Sequence, residues 1–329
     1  MPPNVSVCIP VYGVEKYIER CARSLFEQTM SEGIEFIFVN DCTKDKSIEI
    51  LEQVLSEYPQ RKDQVKIIHH EKNGGLVAAR NTGLEHATGD YIIHCDSDDW
   101  VDLNMYETMY NKAIKTNADM VYCDFYESDG KISQKVSKQG HCTLNEFINE
   151  LLFKVNNRSL CDKLFKKEIA LDYNWLCPEH IVMGEDLLRV IQMVQRCHAI
   201  SHISEPLYFY RCNLSSVTKA KWKKSILKSL IDIADLLPKL ISQEKYYSAI
   251  NYFKCSILFS MIKHPESTSA KEFYAFCDDI GYKNIKNAMQ IMDWQRKLLL
   301  RIALVNYKAA CIMTHTILWA DSLVSKIKK

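Results

Sequence analysis

The sequence lacks the marks of a disulfide-stabilised or secreted protein. Its 13 cysteines include no Cys-x-x-Cys pair, their number is odd, and Cys8, Cys95 and Cys255 lie in apolar runs. The N-terminal stretch MPPNVSVCIPVYG has no basic region and no apolar run long enough for a signal peptide. We therefore expect reduced thiols and a cytoplasmic location.

The chain also lacks Gly/Ser-rich linkers, internal repeats and low-complexity tracts. None of its 10 histidines belongs to a His/Cys cluster with the spacing of zinc ligands, which argues against a histidine metal site. Its 329 residues are enough for one large α/β domain with an appendage, or for two ordinary domains.

Charge is unevenly distributed along the chain. Residues 1–218 contain 23 basic and 32 acidic side chains, whereas residues 219–329 contain 19 basic and 9 acidic ones. A basic C-terminal region favours an anionic partner, either a phospholipid surface, a phosphate-bearing acceptor or nucleic acid, although lysine-rich solvated helices are an alternative. Because the body is acidic and no helix-turn-helix or zinc-finger pattern is present, we expect no nucleic-acid partner.

Apolar runs rich in β-branched residues alternate with segments of helical periodicity. Strands are predicted at residues 5–11, 34–40, 65–70, 91–95 and 120–127, and helices at 15–29, 46–58, 75–87 and 104–117. This alternation predicts βαβ units and a mostly parallel sheet flanked by helices. Further helices are predicted at 143–154, 160–171 and 184–197, and an almost wholly helical region follows from residue 219.

Polar segments follow the first four predicted strands. They are Pro10-Val11-Tyr12, Asn40-Asp41, the segment EKNGG at residues 71–75, and Asp96-Ser97-Asp98. Ligands of parallel α/β sheets bind at the carboxyl ends of the strands, so we expect the functional site at this edge.

The segment HCDSDDW places three carboxylates, Asp96, Asp98 and Asp99, directly after a buried strand. Like charges in such a position repel one another and lose hydration unless a cation lies between them. Carboxylate oxygens with open neighbouring positions suit Mg²⁺ or Mn²⁺ bridged to phosphates. The sequence therefore predicts a divalent metal site here.

Four segments carry a family resemblance: VSVCIPVYGVEKYIERCARSLFEQT, FIFVNDCTKDKS, NGGLVAARNTGLEHATGDYIIHCDSDDW and GEDLLR. In their order and approximate spacing they resemble the motifs of the family-2 glycosyltransferases, which are inverting, nucleotide-sugar-dependent enzymes of the GT-A fold. The resemblance covers about residues 4–218 and implies a GT-A domain over 1–218. Residues 1–100 would form its nucleotide-binding half and 101–218 its acceptor half, followed by a helical region at 219–329.

The resemblance also implies a donor site. Its residues would be Pro10, Val11, Tyr12, Glu15, Asp41, Asn73, Gly74, Arg80, Asp96, Ser97 and Arg211. Asp41 would accept a hydrogen bond from the ring N–H of the base, as uracil offers, so a UDP-linked sugar is the expected donor. Arg80 would add positive charge near the nucleotide, with an ion pair to Asp41 or Asp96 as the alternative. Arg211 would meet the diphosphate as part of a lid.

Metal and catalytic roles follow from the same resemblance. Asp98, with Asp96, would hold Mn²⁺ or Mg²⁺ on the donor diphosphate. Asp186 would be the general base that accepts the proton of the acceptor hydroxyl, and Glu185 would support it. The alternative for Glu185 and Asp186 is that they only stabilise the first turn of a helix through its dipole. One departure from the family pattern is Cys42, which stands where glycine is usual.

Two other functions compete with a glycosyltransferase that extends a glycan or a lipid-linked acceptor in polysaccharide synthesis. A nucleotidyltransferase would carry a glycine-rich, basic phosphate loop after the first strand, and PVYGVEKY is not such a loop. A non-catalytic nucleotide-sugar or glycan-binding module would be insensitive to Asp186→Asn.

The C-terminal segment 298–329 is apolar but interrupted by charges, which disfavours a transmembrane helix. Arg301, Lys308 and His315 recur every seven residues and would form one stripe of an amphipathic helix. Such a helix would lie on an anionic membrane surface, on the catalytic domain or on a second subunit of a homodimer. The expected location is cytoplasmic, with peripheral attachment to the inner face of the membrane.

Overall fold

The computed structural model describes residues 3–129, 133–137, 140, 143–153, 158–171, 181–212 and 222–314. The chain divides into two compact units. The first comprises Met1–Leu176 and Arg189–Ser216, and the second comprises Cys177–Leu188 and Val217–Lys329. The domain boundary predicted at 218/219 falls outside the described residues and stays a prediction.

The first unit is built on a mixed sheet that has nine strands among the described residues. The strands are β1 (Val5–Val11), β2 (Ile34–Asn40), β3 (Val65–His69), β4 (Tyr91–His94), β5 (Trp100–Val101), β6 (Met120–Ser128), β7 (Ser133–Val136), β8 (Lys163–Lys166) and β9 (Ile200–Arg211). Their order is β3-β2-β1-β4-β8-β6-β9-β5, and β7 pairs with β6. The helices of this unit are α1 (Ile18–Phe26), α2 (Ser47–Ser56), α3 (Gly75–His86), α4 (Met105–Thr116), α5 (Leu144–Phe153) and α6 (Lys167–Ala170).

The four strands β3, β2, β1 and β4 pair in parallel, as the βαβ pattern predicts. Val5 of β1 lies opposite Ile34 on one side and Tyr91 on the other. All 7 residues of β1 are buried, including the polar Ser6, as expected of a parallel strand that is covered on both faces.

The segment 160–171 differs from the helix predicted for it. Residues Lys163–Lys166 form β8, which pairs antiparallel with both β4 and β6, and only Lys167–Ala170 are helical. The physical reason is that β4 and β6 would each have backbone N–H and C=O groups without a partner on one side, and a strand between them provides hydrogen-bond partners for both. The buried Lys163 ammonium lies 2.6 Å from the carboxylate of Asp162.

Glu35, 5% exposed, links β1, β2 and β3 at their amino-terminal side. Its carboxylate accepts hydrogen bonds from the Ser6 hydroxyl at 2.6 Å, the Thr88 N–H at 2.7 Å and the Lys66 ammonium at 2.7 Å. Burial alone would raise the pKa of Glu35, but these hydrogen bonds outweigh burial and hold that pKa below its ordinary value.

A row of stacked aromatic rings crosses β5, β9 and β6. Trp100 and Phe209 have ring centroids 5.3 Å apart, and Phe209 and Tyr126 have theirs 4.9 Å apart. The guanidinium of Arg20 lies 3.3 Å above the Trp100 ring. This aromatic row fixes β5, which has two residues, against the longer strands β6 and β9.

Helices make up the described part of the second unit. They are α8 (Lys224–Leu240), α9 (Tyr247–Lys263), α10 (Ala270–Ile280), α11 (Tyr282–Gln290), α12 (Trp294–Val305) and a helical stretch at residues 307–314. Helix α7 (Glu185–Val194) contains residues of both units. A capping box at Ser269 and Glu272 begins α10, so the start of that helix is specified by its own side chains.

The predicted C-terminal amphipathic helix is interrupted at Asn306. This residue has φ −148° and ψ 98°, and its side-chain oxygen accepts the N–H of Ala309 at 3.1 Å. Arg301 and Lys308 therefore lie on two successive helices, and His315 lies outside the described residues. Within the described part of the chain, no helix combines the length and the hydropathy needed to span a bilayer.

Candidate active site

The polar segments that follow β1, β2 and β4 meet at one edge of the sheet, as predicted. The N–H of Asp41 donates to the carbonyl of Val11 at 3.0 Å, and the Ser97 hydroxyl donates to the carbonyl of Pro10 at 2.6 Å. Pro10 and Val11 are buried, so these two residues support the site through their carbonyls. Tyr12, which is 55% exposed, is the member of this trio whose ring can meet a ligand.

Asp41 organises the segment that leads into α3. Its carboxylate accepts the N–H of Gly74 and the N–H of Gly75, each at 2.7 Å, and lies 2.8 Å from Nδ1 of His70. The Asn73 side chain donates to the Asp41 carbonyl at 3.2 Å. Gly75 has φ +84°, a conformation that favours glycine and turns its N–H toward the carboxylate. Asp41 thus holds the start of α3 in place.

His70 is a site residue that sequence reasoning missed. Its Nε2 lies 2.9 Å from the Thr82 hydroxyl of α3, while Nδ1 lies beside Asp41. The available signal was its position directly after β3, at the same edge as the other polar strand ends.

The loops after β1 and β2 are tied together beside Tyr12. Gly13, at φ +68°, donates its N–H to the Thr43 hydroxyl at 2.9 Å, and Glu15 donates its N–H to Asp45 at 3.0 Å. Cys42 adopts φ +58°, which explains why glycine is usual at this position of the family pattern. Glu15, which is predicted to bind the sugar donor, therefore belongs to two loops that are held together by hydrogen bonds.

Residues 96–99 after β4 form an acidic turn, and each of its first two carboxylates faces an arginine. Arg80 is 2% exposed and lies 3.0 Å from Asp96. The ion pair that the sequence offered as the alternative role of Arg80 is therefore present. The Arg211 guanidinium lies 2.6 Å from Asp98. Burial, followed by the neighbouring charge of Asp96, raises the pKa of Asp98 despite this contact with Arg211.

Asp99 points into the protein and is 2% exposed. It accepts the Tyr208 hydroxyl at 2.5 Å and the N–H of Arg211 at 2.7 Å. Burial raises the pKa of Asp99 well above its ordinary value, and the charges of Asp96 and Asp98 add to the effect. The sequence left Asp99 without a role, because its partners lie more than a hundred residues away in the chain.

The acidic turn has the donor chemistry of a Mg²⁺ or Mn²⁺ site. The side chains of Asp96 and Asp98 are 31% and 36% exposed and offer hard oxygen ligands. Among the described residues, no group of three His, Cys, Asp or Glu side chains could hold a metal by itself, so further ligands would have to come from substrate phosphate and water. Burial, and after it the charge of Asp96, raises the pKa of Asp98, and a divalent cation beside this carboxylate would favour its charged form. The residues present fit such an ion.

Glu185 and Asp186 are the first two residues of α7, and both are partly exposed. They follow Gly184, at φ +91°, where an added Cβ would lie 2.6 Å from Cδ1 of Ile233. A glycine is thus required immediately before the two acids. Their catalytic role stays a prediction.

A family model described as Glycosyl transferase family 2 matches residues 6–171. The chain belongs to this family. The resemblance recognised in the sequence is therefore confirmed.

Individual glycosyltransferases match a longer part of the chain. The uncharacterized glycosyltransferase EpsJ of Bacillus subtilis is 34% identical over 233 residues, which cover 69% of this chain and 66% of EpsJ. The putative glycosyltransferase EpsH of the same organism is 33% identical over 232 residues, covering 68% of this chain and 64% of EpsH. The matched region thus spans slightly less than two thirds of either relative.

Solved structures confirm the GT-A fold expected of the family. S. aureus TarS 1-349, in a complex with UDP-GlcNAc, superposes with a TM-score of 0.69 at 19% identity, covering 97% of this chain and 92% of TarS 1-349. The mannosyltransferase PcManGT from Pyrobaculum calidifontis, in complex with GDP-Man and Mn²⁺, gives 0.58 at 14% identity, covering 95% and 87%. At these identities the likeness shows the fold alone.

Proposed function

We propose that this glycosyltransferase transfers a sugar, with inversion, from a UDP-linked donor to a glycan or lipid-linked acceptor in polysaccharide synthesis. The observation that carries the proposal is the placement of Asp41 after β2 and of Asp96 and Asp98 after β4, at the carboxyl ends of the parallel strands on either side of β1. TarS was solved with UDP-GlcNAc and PcManGT with Mn²⁺, which supports a nucleotide-sugar and a divalent ion as ligands.

The proposed roles divide the reaction between leaving group and nucleophile. Asp98 and Asp96 would hold Mn²⁺ or Mg²⁺, which when bound stabilises the charge that grows on the departing diphosphate. Asp41 is 3% exposed and already contacts Gly74, Gly75 and His70, so the ring N–H of uracil would have to replace one of these contacts to reach its carboxylate. The exposed Tyr12 ring would cover the base. Asp186 would accept the acceptor's hydroxyl proton on the opposite face of the sugar, as inversion requires, and Glu185 would support it.

A thermal-shift screen of nucleotide-sugars, with and without Mn²⁺, tests the donor and metal assignments. A ligand that binds the native state raises the melting temperature, so we expect stabilisation that needs both Mn²⁺ and one donor. Stabilisation by every nucleotide-sugar without metal would contradict both assignments.

Variants separate the two halves of the reaction. Asp98→Asn should abolish the Mn²⁺ dependence of donor binding. Asp186→Asn should keep donor binding and its metal dependence while lowering transfer by at least about a hundredfold. Asp90→Asn is the matched control, since Asp90 is exposed beside the opposite end of β4. Transfer that survives Asp186→Asn unchanged would refute the base assignment, and donor binding without any transfer would favour a binding module.

We further propose that the second unit attaches to an anionic membrane surface. Exposed apolar and basic residues lie along its last described helical segments. They are Trp294, Arg301 and Val305 of α12, and Lys308 and Ile312 of the stretch at residues 307–314. The large apolar side chains of Trp294, Val305 and Ile312 are 67%, 86% and 69% exposed. Apolar side chains between basic ones suit the interface of an anionic bilayer.

A further inference from the structure

Arg211, the last residue of β9, is held by two kinds of contact with its surroundings. Its guanidinium donates to the Asp98 carboxylate at 2.6 Å and, through Nε, to the Asp98 carbonyl at 3.0 Å. The same group lies 3.5 Å above the ring of Tyr17, just before α1. The guanidinium therefore covers a carboxylate oxygen that the proposed metal would need.

The main chain of Arg211 is fixed by a second, buried set of contacts. Asp99 accepts the Arg211 N–H at 2.7 Å and the Tyr208 hydroxyl at 2.5 Å. The Tyr208 oxygen in turn accepts the N–H of Asp96 at 3.3 Å. Asp99 and Tyr208 thus join the end of β9 to the acidic turn and hold Arg211 opposite Asp98.

We propose that Arg211 is a resident counter-cation of Asp98 that is exchanged for the metal and released to the donor diphosphate, so that metal and donor bind cooperatively. Asp99 and Tyr208 are positioning residues for this exchange. The inference rests on the proposed function in one respect, the assignment of Asp98 as a metal ligand.

The cooperativity follows from the ion pair. A divalent ion that arrives alone must break the contact between Arg211 and Asp98, and so loses the free energy of that ion pair. When the nucleotide is present, its diphosphate offers the guanidinium the bidentate oxygen geometry for which arginine is suited. By linkage, whatever factor the nucleotide adds to metal affinity, the metal adds to nucleotide affinity.

The test measures binding of MnCl₂ by electron paramagnetic resonance and of UDP by calorimetry, each with and without the other ligand. In the wild-type chain we expect Mn²⁺ affinity to rise roughly tenfold when UDP is present. In Arg211→Gln, Mn²⁺ alone should bind several-fold more tightly than to wild type, because Asp98 has lost its competing cation. The effect of UDP on Mn²⁺ affinity should then largely disappear.

Two variants separate this exchange from general effects of charge or folding. Arg23→Gln removes the same charge from an arginine paired with Glu19 and Glu57 elsewhere in the unit, and should leave Mn²⁺ affinity unchanged. Arg211→Lys keeps the charge but loses the fork geometry, and should keep Mn²⁺ binding weak while UDP binding falls.

Tyr208→Phe tests the positioning role. It should strengthen Mn²⁺ binding and weaken the coupling to UDP in the wild-type background, but add nothing in the Arg211→Gln background. A role confined to stability would lower the melting temperature equally in both backgrounds and leave the coupling intact, which would overturn this part of the inference.

Different results would contradict the counter-cation role of Arg211 and the proposed metal site at Asp98. Unchanged Mn²⁺ affinity in Arg211→Gln, or a coupling to UDP that persists there, would overturn the counter-cation role alone. Equal Mn²⁺ affinity in wild type and Asp98→Asn would overturn the proposed metal site together with the inference.

Discussion

Three carboxylates within four positions of the acidic turn have three different environments. Asp96 meets the buried Arg80, Asp98 meets Arg211, and Asp99 is buried against Tyr208. The sequence could predict that this cluster needs positive charge, because like charges at a strand end repel one another. It could not predict which arginine serves which carboxylate, since Arg211 comes from a strand 113 positions further along the chain.

The charge of Glu35 should contribute to stability at the amino-terminal ends of β1, β2 and β3, opposite the proposed site. Because its folded pKa is lowered, the carboxylate stabilises the fold above its ordinary pKa of 4.5, and this stabilisation is lost as pH falls through the folded pKa. Glu35→Gln should lower the free energy of unfolding by about 2 kcal/mol at pH 7, since the amide keeps one oxygen to accept from Ser6 and Thr88 but presents an NH₂ donor to the Lys66 ammonium. Urea denaturation of both proteins measures this difference.

The pH dependence sharpens that measurement. The difference between wild type and Glu35→Gln should begin to shrink as pH falls below 4.5, where the unfolded carboxylate takes up a proton, and should be smallest below the lowered folded pKa. Glu32→Gln, at an exposed neighbouring position, should have an effect of less than about 0.5 kcal/mol. A difference that stayed constant from pH 7 to pH 3 would contradict the charge-based explanation.

At the scale of elements, strands buried on both faces could be predicted best. The apolar runs of β1 and β2 match their observed bounds, because only one packing suits such segments. The helix predicted at 160–171 was wrong over β8. The short apolar pattern of this segment fits either a helix or a strand, and hydrogen bonding to β4 and β6 favoured the strand. Those hydrogen-bond partners exist only after the chain has folded.

Helix α3 packs closely on β1 through Gly83, and this contact is testable. An added Cβ at Gly83 would lie 3.0 Å from Cβ and 3.3 Å from Sγ of Cys8, which is 1% exposed. Gly83→Ala should therefore destabilise the protein by about 1–2 kcal/mol, even though alanine favours helices. Because α3 begins at the N–H groups bound by Asp41, UDP affinity should also fall.

The control for this helix is Glu85→Ala, which truncates an exposed side chain two residues further along. It should change the free energy of unfolding by less than about 0.5 kcal/mol and leave UDP affinity unaltered. If Gly83→Ala stabilised the chain instead, the packing between α3 and β1 would be looser than these distances imply.

Over the whole molecule, the sequence divides into an acidic part, residues 1–218, and a basic part, residues 219–329. Residues 219–329 contain 19 basic and 9 acidic side chains, and the exposed residues Trp294, Arg301, Val305, Lys308 and Ile312 belong to this region. The excess positive charge could be predicted by counting along the sequence. The exposure of the apolar residues could not, because the sequence predicted one continuous helix where the structure has a break at Asn306.

Membrane attachment should depend on the exposed apolar residues Trp294, Val305 and Ile312. The full chain should co-sediment with vesicles containing phosphatidylserine, less so at high salt because the attraction to anionic lipid is screened. Replacing both Trp294 and Val305 by serine should reduce the bound fraction at least about fivefold, since burial of both side chains is lost. Tyr282→Ser, which removes a 68% exposed ring from α11, is the matched control. Equal binding by all three proteins would refute the proposed surface.

The stacked row of Arg20, Trp100, Phe209 and Tyr126 has a spectroscopic consequence. Trp100 is bonded directly to Asp99, and its indole is 6% exposed between a guanidinium and a second ring. Indole emission responds to nearby charge, so a rearrangement of the turn would change its wavelength and intensity. With the other 4 tryptophans replaced by phenylalanine, the chain would carry an intrinsic optical reporter, and arrival of ligands could be followed by stopped-flow fluorescence without an attached dye.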